Sequence, residues 1–305
     1  MHITSHLLLV RPAAFGYNPE TAATNVFQKT PSDFSPEIHQ KALYEFDNMV
    51  ELLRENDVNV LVAEDAPEPY KPDAMFPNNW ITTHQDGTIV LYPLQAPNRR
   101  AERSEEIVNM LKNKYKVRNI INLSHYENRN KFLEGTGSLV LDHHNKIAYA
   151  SLSPRTHAEV VDRFCNLMGY KSLNFQALDE FGQPIYHTNV VMSMGDKFVI
   201  ICFDAIKDEI DQEDLLNSFR KTQKEIIKIS YEQMKNFVAN CIEISNNKGE
   251  RLLVLSQRAY DSIEETQKKR LESYVRLLPC PLQTIETYAG GSARCMIVEI
   301  FLPSF

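Results

Sequence analysis

The sequence has few cysteines, no long hydrophobic run and no excess of positive charge. Its five cysteines are odd in number and scattered without a Cys-x-x-Cys pair, which argues against a disulfide framework or a zinc site. No window approaches the roughly 20 apolar residues of a membrane-spanning helix, and the first residues lack a signal-peptide pattern. A net charge of −7 offers no basic surface to nucleic acid. We therefore expect a cytoplasmic protein that binds no membrane, nucleic acid or metal.

The composition is that of a globular protein. Of the 305 residues, 43% are hydrophobic and 24% are charged, which is far from the composition of a disordered chain. This length permits one large domain or two. Adjacent His143 and His144 would point to opposite faces of a strand, so we assign them to a hairpin turn and not to a metal site.

One pattern recurs along the chain: an apolar strand, a short polar turn, a second apolar strand and a helix. The turns contain Asp-Gly, Gly-Asp or Asn-Asn-Lys-Gly, which tolerate the positive φ angles of tight hairpins. Equivalent points lie roughly fifty to sixty residues apart, a spacing typical of propellers and arrays. The four strand pairs are 80–83 with 89–92, 138–141 with 147–150, 189–192 with 198–201, and 241–244 with 252–255.

The two chain ends together supply a fifth copy. The N-terminal strand at 7–10 is followed by a helix at 37–56, whereas the apolar segment 297–302 has no partner behind it. Joining them predicts an α/β fold in which five ββαβ repeats close into a ring without exposed sheet edges. A doubly wound α/β sheet also fits the alternation, but it predicts single strands between helices instead of hairpins.

Polar residues stand where the strands enter this ring. Asn78 and Asn79 precede the first copy, Glu134 the second and His187 the third, and Cys295 opens the fifth after two glycines. Equivalent strand ends of a rotationally symmetric ring point to its axis, so we expect these side chains to meet. A thiol, an imidazole and a carboxylate are the groups that nucleophilic catalysis requires.

Three motifs resemble the guanidine-modifying pentein superfamily: Glu134-Gly135-Thr136-Gly137, His187-Thr188-Asn189 and Gly290-Gly291-Ser292-Ala293-Arg294-Cys295-Met296. This group includes arginine deiminases, dimethylarginine hydrolases and amidinotransferases, and the resemblance covers nearly the whole chain. It implies a single five-bladed α/β-propeller domain over residues 1–305 with a central active site. It also implies that Cys295 is the nucleophile, His187 the general acid and base, and Glu134 the acid paired with the histidine, without any cofactor.

The resemblance extends to candidate substrate-binding residues. Arg155 lies in a Ser-x-Arg-Thr element, and Arg99 and Arg100 lie in a second arginine-bearing loop; both arginine elements can hold a substrate carboxylate. Asp73 matches an aspartate with which dimethylarginine hydrolases bind guanidinium. A surface position for Arg155 and a purely local loop role for Asp73 are the alternatives.

The chain departs from the arginine deiminase pattern at two aspartates that usually hold the guanidinium. Asn79 and Asn189 stand there instead. A buried cation needs carboxylate partners, whereas an amide complements a neutral ureido group. The closest likeness is thus to the citrulline-utilising hydrolases, and the predicted reaction converts citrulline to ornithine, carbon dioxide and ammonia through a thiocarbamoyl enzyme. Action on a guanidino substrate and a non-catalytic binding protein are the alternatives.

The sequence leaves the oligomeric state and the substrate chain length open. A segment from Ala13 to Pro36, rich in asparagine, threonine, proline and phenylalanine, is a candidate loop over the site. Its portion from Phe15 to Asn18 is the best candidate for a lid.

Overall fold

The computed structural model describes residues 3–22 and 36–305. Its strands are short, and most of their side chains are buried. They are β1 (His6–Arg11), β2 (Asn59–Glu64), β3 (Ile81–Thr83), β4 (Thr88–Leu91), β5 (Asn119–Asn122), β6 (Val140–Asp142), β7 (Ile147–Ser151), β8 (Lys171–Phe175), β9 (Met192–Met194), β10 (Phe198–Ile201), β11 (Glu225–Lys228), β12 (Ile242–Ser245), β13 (Arg251–Ser256), β14 (Arg276–Cys280) and β15 (Val298–Glu299).

Helices alternate with the strand pairs. The α-helices are α1 (Pro19–Ala22), α2 (Pro36–Glu55), α3 (Glu105–Lys114), α4 (Gly135–Ser138), α5 (Ala158–Met168), α6 (Thr188–Val191), α7 (Glu209–Lys221), α8 (Tyr231–Lys235), α9 (Gln257–Ser262), α10 (Glu265–Glu272) and α11 (Gln283–Ala289). Short 3-10 helices lie at Pro77–Asn79, Pro97–Glu102, Ser124–Arg129, Phe203–Ala205 and Ala293–Met296. No described helix is both long and apolar enough to cross a membrane.

The described strands form five three-stranded sheets, and every sheet has the same construction. A central strand pairs antiparallel with one neighbour and parallel with the other, so the four predicted hairpins are confirmed. The parallel partner follows after a helix, because parallel neighbours need a crossover connection. The sheets, in strand order, are β3-β4-β5, β6-β7-β8, β11-β10-β9, β12-β13-β14 and β15-β1-β2.

The fifth sheet joins the two ends of the chain, as predicted. Leu7 of β1 lies opposite Glu299 of β15 in an antiparallel pair, and the Ile300 N–H donates a 2.8 Å hydrogen bond to the His6 carbonyl. Neighbouring sheets are in contact where β15 meets β3, where β6 meets β9 and where β9 meets β12.

Apolar packing between the helices and the sheets holds these units together. Helix α2 buries one stripe of side chains, including Phe46 and Leu53, against residues of β1 and β14 such as Leu7 and Leu278. Burying a side chain of this size stabilises the fold by about 1.5–3 kcal/mol. The position of α2 therefore follows from its amphipathic pattern.

The predicted strand starts are wrong by one to three residues in most copies, because a helical turn precedes the strand. Such turns are Pro77–Asn79 before β3, α4 before β6 and α6 before β9. Proline favours the first helical position because its fixed φ suits the helix and its missing N–H is not needed there. A further turn, Ala293–Met296, precedes β15. The residues that the sequence places at strand entrances thus lie on these turns or directly before them.

Candidate active site

The turns that precede β3, β9 and β15 converge on one cavity. Asn79, His187 and Cys295 face it together, and all three are buried. The cavity is lined by Thr21, Asp73, Phe76, Asn79, Arg99, Arg155, Tyr186, His187, Ala289, Gly290, Gly291 and Cys295. We call it the front cavity. Among the described residues, no group of three or more histidine, cysteine or carboxylate side chains has a metal-binding arrangement.

Two glycines before the cysteine have different structural roles. Gly290 ends α11 in a left-handed conformation with φ of 64°, which glycine adopts without steric cost. Gly291 allows close packing, because a Cβ there would lie 2.8 Å from a ring carbon of Phe76. The chain can then enter the 3-10 turn that carries Cys295 to the cavity.

The sulfur of Cys295 is hydrogen-bonded by neutral amides. Asn189 Nδ2 lies 3.5 Å from Sγ, and Asn240 Nδ2 lies 3.3 Å from it. Asn240 also donates to the Asn189 carbonyl oxygen at 3.3 Å, which links the two asparagines. As a thiol, Sγ can in turn donate to Asn240 Oδ1 at 3.6 Å, so this amide contacts the sulfur through both of its polar atoms.

The imidazole of His187 belongs to a charged network. Its Nε2 lies 2.7 Å from Glu134 Oε2, and Arg155 Nη1 lies 3.6 Å from the same oxygen. Burial raises the pKa of Glu134, but Arg155 and His187 outweigh it and bring the pKa down to about 2. Burial also lowers the pKa of His187 to about 4, against the effect of Glu134. The resting pair is therefore a carboxylate and a neutral imidazole.

This pairing determines which ring nitrogen of His187 is basic. A carboxylate only accepts hydrogen bonds, so Nε2 carries the proton and Nδ1 carries the lone pair. A Cβ on Gly137 would lie 2.8 Å from Nδ1, so only glycine leaves room for the ring in this place. The Glu134-Gly-Thr-Gly motif thus supplies both the carboxylate and the space for the imidazole.

Arg99 is buried within a second cluster of polar groups. It makes two 2.8 Å hydrogen bonds to Glu102 and one of 2.6 Å to Asn79 Oδ1. Asn79 in turn donates to Asn78 Oδ1 at 3.0 Å. The amide of Asn79 is therefore held in one orientation by a cation.

Asp73 is buried at the wall of the front cavity. Its Oδ2 accepts a 2.7 Å hydrogen bond from Asn18 and lies 3.7 Å from Arg99 Nε. Its Oδ1 has no hydrogen-bond partner among the described residues. A buried acceptor without a partner costs about 1–3 kcal/mol, so this oxygen is suited to a donor on a ligand.

The candidate lid reaches the site through the residues that follow Phe15. Asn18 contacts Asp73, and the carbonyl of Thr21 accepts a 2.9 Å hydrogen bond from Arg155. The described part of the segment thus packs on the front cavity. Residues 23–35 of the predicted loop lie outside the described residues.

Arg155 is buried, so the surface alternative for this residue is wrong. Its guanidinium lies over the ring of Tyr186 at 4.9 Å from the centroid, and the Tyr186 hydroxyl donates to the Gly290 carbonyl at 2.7 Å. Tyr186 therefore connects the arginine to the glycine turn that presents the thiol.

Arg100, predicted to hold a substrate carboxylate, lies away from the front cavity. Its guanidinium donates to the carbonyls of Leu94 and Gln95 and pairs with Glu127 at 3.4 Å. It follows Arg99 on one short 3-10 helix, and adjacent helical residues point in different directions. The structure therefore brings only Arg99 of this pair to the cavity.

Asn240 is the clearest residue that the sequence reasoning missed. It lies two residues before β12, the first strand of the fourth copy, and its side chain is almost fully buried at the sulfur. The repeat itself carries the signal that could have found it, because the other copies place polar residues near the same point.

Five sheets of this construction and a buried thiol, imidazole and carboxylate are the features of a guanidino-modifying pentein. The family model described as N,N dimethylarginine dimethylhydrolase, eukaryotic, matches residues 11–302. The chain therefore belongs to this family, which lies within the pentein superfamily. A search of curated protein sequences found no significant match.

Solved structures resemble the chain in fold. Crystalline ArgZ, an arginine dihydrolase from the ornithine-ammonia cycle in cyanobacteria, gives a TM-score of 0.77 at 15% identity, covering 98% of this chain and 41% of ArgZ. The N-terminal domain of ArgZ, covalently bound to a reaction intermediate, gives 0.76 at 16% identity over 98% of this chain and 99% of that domain. A cysteine-to-serine variant of DDAH from Pseudomonas aeruginosa, complexed with citrulline, gives 0.68 at 15% identity and covers 98% and 99%. The chain thus spans about two fifths of full-length ArgZ. At sequence identities of 15–16%, these similarities are evidence for the fold alone.

Proposed function

We propose that this protein is a cysteine-dependent hydrolase of a C–N bond in a ureido amino acid, with citrulline as the leading substrate. The surroundings of the sulfur carry this proposal. Both hydrogen-bond donors to Sγ are asparagine amides, and Asn79 is held by the Arg99 guanidinium at 2.6 Å. A guanidinium group beside Asn79 would face a second cation, the Arg99 guanidinium, and the amides supply no negative charge, whereas a neutral ureido oxygen can accept hydrogen bonds.

The proposed chemistry uses the groups at the front cavity. His187 accepts the thiol proton, and the Cys295 sulfur attacks the ureido carbon. The bond from this carbon to its terminal nitrogen breaks, and His187 returns the proton to the departing ammonia. Water then attacks the thiocarbamoyl carbon with His187 as the base, and the released carbamate decomposes to ornithine and carbon dioxide. Arg155 and Arg99 are the proposed contacts for the substrate carboxylate.

Asp73 favours a second candidate, a guanidino amino acid such as arginine or a methylated arginine. Asp73 lines the front cavity, and its buried Oδ1 has no partner among the described residues. This carboxylate would pair with a guanidinium. The family model and the arginine dihydrolase neighbours are in keeping with this substrate class. In both candidates the same cysteine attacks the same kind of trigonal carbon.

One assay separates the two candidates. The protein is incubated with citrulline, arginine or methylated arginine, and ammonia, ornithine and citrulline are quantified. Ornithine from citrulline supports the leading proposal, whereas citrulline from arginine with no ornithine refutes it. Formation of ornithine from both arginine and citrulline would mean that the protein acts on guanidino and ureido groups in turn, with Asp73 binding the first group and the amides the second.

A double substitution tests the role of the amides. Asn79→Asp with Asn189→Asp restores the two carboxylates of arginine deiminases, and we expect citrulline turnover to fall relative to arginine turnover. An unchanged ratio would mean that other groups select the substrate.

The five-bladed closure of the ring, the single domain and the cytoplasmic location remain predictions beside this proposal.

A further inference from the structure

Tyr186 contacts both the imidazole and the turn that carries the thiol. Its ring lies next to that of His187, the following residue, with 4.7 Å between the ring centroids. Its hydroxyl donates a 2.7 Å hydrogen bond to the carbonyl of Gly290, which begins the glycine turn leading to Cys295. One buried side chain at the front cavity thus joins the segment of the proposed base to the turn of the proposed nucleophile.

The position of Tyr186 is fixed on the side of the imidazole. Its backbone carbonyl accepts a 2.7 Å hydrogen bond from Ser153 Oγ, and the guanidinium of Arg155 lies over its ring at 4.9 Å from the centroid. A guanidinium is attracted to the face of an aromatic ring, so this contact restrains the ring. The hydroxyl is therefore presented to the Gly290 carbonyl from a fixed support.

A second anchor of the turn is local. Ser292 Oγ donates to Glu286 of α11 at 2.7 Å, and the Ser292 carbonyl accepts a 3.0 Å hydrogen bond from the Cys295 N–H. These contacts shape the turn against its own helix, but they do not relate it to the imidazole. The hydrogen bond of the Tyr186 hydroxyl spans 104 positions of the sequence and joins the turn to the segment that carries His187.

We propose that Tyr186 is a positioning residue, whose hydroxyl holds the glycine turn so that the Cys295 sulfur and the His187 imidazole stay in register for proton transfer. This inference rests on the proposed function. Transfer of the thiol proton needs a hydrogen-bonding separation, and a small displacement of either partner lowers the rate steeply. Burial raises the pKa of the Tyr186 phenol, so the hydroxyl stays protonated and keeps donating to Gly290.

Tyr186→Phe tests the hydroxyl alone, because the ring remains under Arg155. We expect kcat to fall by roughly ten- to a hundredfold, since the sulfur loses its fixed place beside the base. The substrate KM should stay the same, because the groups that bind the substrate are unchanged. A variant with the wild-type kcat, or one whose loss lies entirely in KM, would overturn the proposal.

Tyr149→Phe is the matched control. The Tyr149 hydroxyl is also buried and lies 2.7 Å from Ser218 Oγ, but Tyr149 is not part of the front cavity. Urea unfolding shows what the loss of each buried hydroxyl costs in stability, and only Tyr186→Phe should lose kcat. An equal kcat in the two variants would contradict a positioning role for Tyr186.

Alkylation of Cys295 by iodoacetamide tests the same role without turnover. At a fixed pH the reaction should be slower in Tyr186→Phe than in Tyr149→Phe, and mass spectrometry identifies the alkylated residue. Slower alkylation in a protein that hydrolyses no ureido or guanidino compound would leave the positioning of the sulfur standing and refute the proposed function. Turnover of citrulline with unchanged kcat and unchanged alkylation in Tyr186→Phe would do the reverse.

Discussion

Cys295 and His187 face the same cavity, but their surroundings differ in charge. The sulfur is hydrogen-bonded by the amides of Asn189 and Asn240, whereas the imidazole is held by Glu134, itself paired with Arg155. The charged side fixes the tautomer and orientation of the imidazole. The neutral side presents uncharged amide groups to the sulfur. On the proposed function the two halves of the site serve different tasks, and each can be altered without the other.

The largest effect should come from removing the nucleophile. Cys295→Ala should lower turnover by roughly 10⁴-fold or more, because a covalent step is lost while binding remains. Cys280→Ala, at a buried cysteine of the core, should cost stability and leave turnover nearly unchanged. Ammonia release from citrulline measures turnover, and mass spectrometry detects the covalent adduct. Residual activity near the wild-type level in the first variant would refute the assignment.

On the charged side, Glu134→Gln should lower turnover by roughly 10²–10⁴-fold, because the amide can also donate to His187 Nε2 and no longer fixes the tautomer. It should also destabilise the fold by about 3 kcal/mol, since it breaks the buried ion pair between Glu134 and Arg155. Glu127→Gln, which breaks a part-buried pair with Arg103, is the control and should not change turnover. Turnover and urea unfolding measure the two effects, and a fully active Glu134→Gln variant would contradict the paired role.

On the neutral side, Asn240→Ala should lower kcat/KM by about tenfold, the effect of one lost hydrogen bond to a charged acceptor. Alkylation of Cys295 by iodoacetamide should also be slower at a fixed pH, because the sulfur loses a hydrogen-bond donor. Asn247→Ala, at an exposed asparagine, is the control. If Asn240→Ala alkylates at the wild-type rate, this amide has no part in the reactivity of the sulfur.

Much of the fold could be predicted because its signals are local. The hairpin turns and apolar strands are short patterns of residue type, and they located four sheets. The pairing of β15 with β1 could be predicted because the first and last apolar segments of the chain each lacked a partner strand, and together they complete a fifth copy of the repeat. The helical turns before the strands could not be predicted, because four residues are too few for a helical period.

The site was less accessible to sequence reasoning, for a geometric reason. Arg99 and Arg100 are adjacent and chemically identical, but they point in different directions from one 3-10 helix. Arg99 therefore lines the front cavity, whereas Arg100 pairs with Glu127 away from it. Asn240 follows the apolar residues Val238 and Ala239, and its only mark in the sequence is its place before the first strand of the fourth copy. Direction and burial depend on packing between distant segments, which residue spacing does not specify.

The charged side should also make the stability of the protein depend on pH. Burial lowers the pKa of His187 from 6.5 to about 4, so between these values the unfolded chain binds a proton that the folded chain does not. Stability is therefore fully present above pH 6.5 and is lost as the pH falls toward 4, by up to about 1.4 kcal/mol per pH unit. His84, buried outside the site, has the same direction of shift and the same lowered pKa of about 4.

The test compares the slopes of unfolding free energy against pH from 6.5 to 5, measured by urea unfolding. His187→Asn and His84→Asn should each lower the slope of unfolding free energy against pH by the amount that corresponds to about one proton, because each removes one buried neutral imidazole. Asn240→Asp would add a buried carboxylate beside the sulfur. Burial raises the pKa of a carboxyl group, so the folded variant would bind this proton more readily than the unfolded chain, and its slope should be shallower than that of the wild type. A slope that His187→Asn leaves unchanged would mean that the imidazole is already protonated in the folded protein, and the charged side would then hold a cation at rest instead of a base.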